Sequence, residues 1–389
     1  MQARSIRIAV ALFAIAACAP STQSAPVPLG AVATRGPARA VWTKARANAW
    51  ADSTGWLVGS NFAPSTAINQ LEMWQAATFD PSTIDRELGM AESLGFNTMR
   101  VFLHDLLWKQ DSAGFLARMD QFLAIADRHH IRPMFVLFDA VWDPQPHLGP
   151  QRAPIPHLHN SGWVQSPGAA VLADTTRYES LRGYVQGVVG RFANDRRVIA
   201  WDIFNEPDNT NRPAYIAYEP LDKGERAFQL MRKAFVWARE MNPQQPLTAG
   251  PWKGDWVDPN RVPALVAYML DSSDVITFHS YDDSTNVERL ITALERYGRP
   301  IICTEYMARP RGSTFQAIMP IFLRRHVGAI NWGFVSGKTQ TIYPWDSWTQ
   351  EYKAEPTVWF HDIFRGDGTP YDSNEVAFIR ATTASARAR

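Results

Sequence analysis

The run VIAWDIFNEPDN, residues 198–209, is apolar apart from one aspartate until it turns polar at Asn205-Glu206-Pro207. Its aromatic and β-branched residues lack helical spacing, so it reads as a buried strand with a carboxylate at its end. PIICTEY (300–306) has the same form, with Glu305 near its close. Working outward, further candidate strands are WLVGSNF (56–62), FNTMRVFL (96–103), RPMFVLFD (132–139), PLTAG (246–250), VITFHSY (275–281) and AINWGFV (329–335). Helical patterns fall between them near 83–93, 114–129, 177–194, 222–240, 261–270, 284–297 and 314–325, with a closing helix near 355–364. Eight strand and helix alternations predict an α/β fold, a (β/α)8 TIM barrel with a parallel sheet closed on itself. The doubly wound alternative needs a glycine-rich phosphate loop after an early strand, a pattern that GSNFAPS (59–65) lacks.

Two connections are longer than a barrel requires, 140–176 after the third strand and 336–354 after the eighth. Both leave the C-terminal face, where long loops shape a cleft. The chain has 389 residues, is 46% hydrophobic and 20% charged, and carries 15 Trp and 20 Phe. That composition is globular and rich in flat rings. A formal charge of +1 with no long basic run excludes a nucleic-acid surface and suits an uncharged partner.

The N-terminal MQARSIRIAVALFAIAACAP has two arginines followed by a short apolar stretch, which reads as an export signal. Ile15-Ala16-Ala17-Cys18 resembles a bacterial lipoprotein cleavage box with Cys18 as the lipidated residue. The expected organisation is a signal over 1–17, a lipidated or flexible tether over 18–45, a catalytic barrel over 46–375 and a tail over 376–389. Membrane attachment is expected only through that anchor, in the periplasm or on the outer membrane, with soluble secretion as the alternative. Cleavage before Cys18 leaves Cys303 alone, so no intrachain disulfide forms.

Glu206 and Glu305 close the fourth and seventh strands and so face one barrel mouth. Two carboxylates across a cleft suit glycosidic cleavage, in which one donates a proton to the leaving oxygen and the other attacks the anomeric carbon or activates water. Solvated loop glutamates are the plain alternative. Asn205 either holds a sugar hydroxyl or a carboxylate, or merely ends the strand in an Asx turn.

At these residues the chain resembles the retaining glycoside hydrolases with (β/α)8 barrels, nearest to glycoside hydrolase family 5 and its cellulase-like members, over residues 50–365. The resemblance implies that Glu206 is the acid/base and Glu305 the nucleophile. It also implies that Arg100 in FNTMRVF supports the nucleophile, that His279 and Tyr281 in FHSYD contact the carboxylates, and that Trp332 in AINWGF forms a floor under a sugar ring. The chain departs from the family after the third strand, where many members carry a histidine and this one runs FVLFD into Ala140-Val141-Trp142. Asp139 and Trp142 are therefore expected to bind substrate in another way, together with His104, Asp105 and Trp108 after the second strand and Trp345 in the last long loop.

No metal or cofactor is expected. His157 and His159 form the one compact histidine pair and lack a third local ligand, and His129 and His130 read as loop histidines. No G-x-S-x-G elbow follows a strand, and Cys303 lies inside an apolar run. The expected activity is retaining hydrolysis of a β-linked glucan, mannan or xylan. Transglycosylation at the same site and a non-catalytic carbohydrate-binding surface protein are the alternatives.

Overall fold

All eight expected strands form, and each is buried along its whole length, as parallel strands covered on both faces must be. They are β1 (Val58–Phe62), β2 (Thr98–Phe102), β3 (Met134–Asp139), β4 (Ala200–Asn205), β5 (Leu247–Thr248), β6 (Ile276–His279), β7 (Ile301–Glu305) and β8 (Gly328–Asn331) in a computed structural model that describes residues 36–211 and 214–387. The sheet runs β5-β4-β3-β2-β1-β8-β7-β6 with every ladder parallel. Its two ends meet through Asp274 N to Leu247 O at 2.8 Å and His279 N to Pro251 O at 3.1 Å, which close the barrel. The (β/α)8 expectation holds.

The helices Pro81–Ser93, Asp105–Arg128, Arg182–Phe192, Lys223–Glu240, Ala264–Ser272, Ser284–Glu295 and Phe315–Arg324 follow β1 to β7 in turn. Several starts are fixed by side-chain caps, with Asp80 accepting from Thr83 N, Asp283 from Asn286 N and Thr314 from Ala317 N. One apolar layer lies between sheet and helices. A smaller one, including Met134, Ala200, Ile302 and Ile330, fills the base of the barrel.

Three expectations need correction. Residues 355–364 are not helical: Trp359, Phe360, Ile363 and Phe364 are buried, but Phe364 bridges Val335 and Pro370 in irregular chain. The closing helix is Ser373–Arg387, most of which falls in the stretch 376–389 expected to be a tail. Val376 and Ile379 are buried in the core, and Thr383 Oγ1 donates to Leu94 O at 2.7 Å. The end of the expected tether is also docked, because Arg39 pairs with Asp274 at 2.6 Å, Trp42 is buried, and a helix, Lys44–Thr54, begins there. The expected signal and Cys18 lie outside the described residues.

Candidate active site

Strand register assembles the polar layer at the barrel mouth. Asn61 of β1 stands beside Arg100 of β2, and Asp139 of β3 beside Asn205 of β4. A register shift between Phe278 and His279 sets His279 opposite Glu305. At the end of β4, Glu206 takes φ 42°, a left-handed conformation costly for a residue with a Cβ. This departure from strand alternation lets consecutive Asn205 and Glu206 line the same cavity.

Arg100 is completely buried and uses its planar fork fully. Nε and Nη2 donate to Asp202 Oδ2 at 3.0 and 2.8 Å, Nη1 to Glu305 Oε1 at 2.8 Å and Asn61 Oδ1 at 2.9 Å, and Nη2 also to Asn205 Oδ1 at 2.7 Å. The other oxygen of Glu305 accepts from the Tyr281 hydroxyl at 2.7 Å. Glu206 Oε2 accepts from Asn209 Nδ2 at 2.7 Å, and its Oε1 lies 2.9 Å from His279 Nδ1. Ligand atoms of Glu206, His279 and Glu305 all lie within 4.8 Å of one another.

Burial sets the protonation of this group. It pushes Glu206 up to about 7 against the hydrogen bond from Asn209 and the field of Arg100. Glu305 is also raised by burial, opposed by His279 and Arg100, and it alone of the two touches a cation directly. Burial lowers His279 to about 4, so near neutral pH its contacts with the two glutamates are those of a neutral imidazole and not ion pairs. Burial thus favours the protonated form of both glutamates, while the Arg100 guanidinium on Glu305 Oε1 favours the charged form of that one.

These side chains open into a cavity of about 390 Å³, a volume within the range of small-ligand sites. Trp332, Trp142 and Trp345 line it, along with Asn205, Glu206, His279, Tyr281 and Glu305. Asp139 lies beneath the cavity. Its oxygens accept from Asn205 Nδ2, Trp163 Nε1, Gln70 Nε2 and Val141 N, and burial raises it to about 6.

His104, Asp105 and Trp108 are not at the cavity. The chain enters a helix directly after β2, so His104 caps it by accepting from Leu106 N, and Asp105 accepts from Ser166 Oγ at 2.8 Å. Trp108 packs on the next helix, where a Cβ on Gly187 would lie 1.9 Å from its ring. His157 Nδ1 meets the Tyr343 hydroxyl at 2.6 Å and His159 Nδ1 the Tyr343 carbonyl at 2.8 Å, so each ring has a local partner.

Sequence reasoning missed Asn61, Asp202, Trp163, Asn209, Trp252 and Lys253. A signal existed for Asp202, a charged residue among the apolar residues of β4.

A barrel that holds two glutamates across its mouth, with an oxygen of one within 4.8 Å of an oxygen of the other, has the close carboxyl pair of a retaining glycoside hydrolase. Residues 90–336 match the model of the family described as "Cellulase (glycosyl hydrolase family 5)", and the chain belongs to that family. Its fold is shared with GH5_18 from Streptomyces cattleya in complex with GlcNAc, at 13% identity and TM-score 0.57 over 86% of this chain and 80% of that one. The exo-beta-1,4-mannosidase Op5Man5 from Opitutaceae bacterium strain TAV5 is 19% identical at TM-score 0.57, over 85% of this chain and 60% of that one. The beta-mannanase from blue mussel Mytilus edulis is 14% identical at TM-score 0.52, over 85% and 92%. A comparison with curated protein sequences gave no match.

Proposed function

We propose that the chain hydrolyses β-linked oligo- or polysaccharides by double displacement, with Glu305 as nucleophile and Glu206 as acid/base. The observation that carries this reading is the closeness of the two carboxyls, one oxygen of each lying within 4.8 Å of the other, since an inverting pair leaves room for a water between groups roughly 6.5–9.5 Å apart. Glu305, ionised between the Arg100 and Tyr281 donors, attacks the anomeric carbon. Glu206 gives its proton to the departing oxygen, and the C–O bond to the leaving sugar breaks as the bond to Glu305 forms. Glu206, now anionic, takes a proton from water, whose oxygen displaces Glu305 and releases the sugar.

Mannan-type substrates head the panel, because the structural relatives named above include a mannosidase and a mannanase. Hydrolysis of β-manno-, gluco- and xylo-oligosaccharides, followed by proton NMR of the first-formed anomer, tests the reading with Glu305→Gln as control. A β-anomeric product supports it. An α-anomer, or equal turnover by the Glu305→Gln variant, refutes it.

We further propose export with lipidation at Cys18, supported by the n-region arginines and the Ile15-Ala16-Ala17-Cys18 box. Radiolabelled palmitate incorporation that disappears in Cys18→Ser tests this. Among the described residues no helix is long and apolar enough to cross a membrane.

A further inference from the structure

The loops that follow β3 and β8 belong to strands separated by β2 and β1, so they can meet only by crossing above those two strand ends. They do meet. Gln340 accepts from His157 N at 2.9 Å and donates to Ile155 O at 2.6 Å. Asn160 N donates to Thr339 O at 2.9 Å, His159 N to Ser347 Oγ at 3.1 Å, and Trp348 Nε1 to His159 O at 2.9 Å.

The loop after β1 is built into the same wall. Lys338 N donates to Ser65 O at 3.0 Å and Asn69 Nδ2 to Gly162 O at 2.8 Å. The seams are too tight for a side chain: a Cβ on Gly337 would lie 2.3 Å from Ser65 O, and one on Gly162 would lie 2.2 Å from Ile68 Cδ1. Behind the wall, past Trp163 and Trp332, the remaining void is about 30 Å³, room for a water and not a sugar.

The other end of the cavity differs. It runs past Asp208 and Thr210 to Trp252 and Lys253 on the loops after β4 and β5, where Lys253 is exposed. With the roles proposed above, the sugar attacked by Glu305 lies over Trp332, and the residue that receives the Glu206 proton points toward Trp252. The wall thus stands beyond the sugar that is attacked. Trp163 rises against Trp332 at 73° with ring centroids 5.9 Å apart, so the aromatic shelf ends after one ring width.

We propose that the enzyme is exo-acting and removes single sugar residues from the non-reducing end of its chain, because the welded β1, β3 and β8 loops close the cavity one residue beyond the scissile bond. This inference rests on the hydrolase reading and deepens it.

The test uses the unmodified protein and a β-linked tetrasaccharide from the responsive series, reduced with borodeuteride to mark its reducing end. A second sample carries a bulky 4,6-O-benzylidene cap on the non-reducing sugar. Early products of monosaccharide plus marked trisaccharide, with the capped chain at least 100-fold slower, are expected. Cleavage of the capped chain at a similar rate, or marked mono-, di- and trisaccharides together from the first time point, overturns the proposal and leaves hydrolysis standing. If neither sample is cleaved while binding persists, the hydrolase reading itself falls and the exo assignment falls with it.

Discussion

Asp202 takes a larger share of Arg100 than Glu305 does: its Oδ2 accepts two of the guanidinium's hydrogen bonds, at 3.0 and 2.8 Å, whereas Glu305 accepts one. The cation that steadies Glu305 is therefore divided between two acids. In Asp202→Asn its field acts on Glu305 with one competing charge removed, so Glu305 ionises more readily. The acidic limb of the kcat/KM profile should move to lower pH. Thermal stability should drop by about 1–3 kcal/mol from the weakened buried bonds. A limb that does not move would show that Asp202 leaves Glu305 unaffected.

With the roles proposed above, activity should fall as pH rises through about 7, where Glu206 loses the proton that this mechanism has it donate. The same titration affects stability with a defined sign. The folded state binds this proton more tightly than the unfolded chain, so the stabilisation is full below the ordinary glutamate value and is lost as pH rises through the folded value. The loss is on the order of 3 kcal/mol for an upward shift from 4.5 to about 7. Glu206→Gln should flatten both the basic limb of activity and the fall in melting temperature between pH 4.5 and 7.5, while slowing turnover of unactivated substrates by roughly 100- to 10,000-fold.

Tyr281→Phe deletes the hydroxyl that donates to Glu305 Oε2 and leaves the ring against Trp345, at 5.0 Å between centroids. The lost charge-assisted bond should cost about 1.5–3 kcal/mol in transition-state stabilisation, read as kcat/KM, with little change in melting temperature. An equal loss of stability and activity would mean that the hydroxyl serves the fold rather than the reaction.

Trp332→Ala and His104→Ala should separate substrate contact from structure. Trp332 faces the cavity, so its loss should raise KM with about 1–3 kcal/mol of weakened binding, judged by analogy with a missing apolar contact. His104 caps a helix away from the cavity, so its loss should lower the melting temperature by the equivalent of about 1 kcal/mol and leave KM unchanged.

Truncation after residue 372 removes Val376 and Ile379 from the core and Glu375 from Arg309, to which it is bonded at 2.5 and 3.1 Å. Loss of one partner of a buried pair alone costs about 3–5 kcal/mol, so the truncated chain should melt well below the full one in a thermal scan.

The strands were legible because barrel strands, buried on both faces, leave apolar runs that no solvent-exposed element imitates. The last helix was not. Trp359, Phe360, Ile363 and Phe364 have helical spacing yet pack as irregular chain, while Ser373–Arg387 buries only Val376 and Ile379 as large apolar residues, beside Glu375 and Thr383. At the site, Glu206 and Glu305 were legible through their strand-end positions, and Arg100, His279 and Tyr281 through the resemblance to the family. His104, Asp105 and Trp108 misled because a helix begins at once after β2 and turns them into caps and packing. Trp163 and Lys253 were invisible for the opposite reason, since loops carry no periodicity from which direction can be inferred.

Arg39 and Trp42 grip the chain where strands begin, beside Asp274, Val275 and Leu57, while the sugar cavity opens where strands finish. The segment that begins at residue 36 is therefore held on the face of the barrel opposite the cavity.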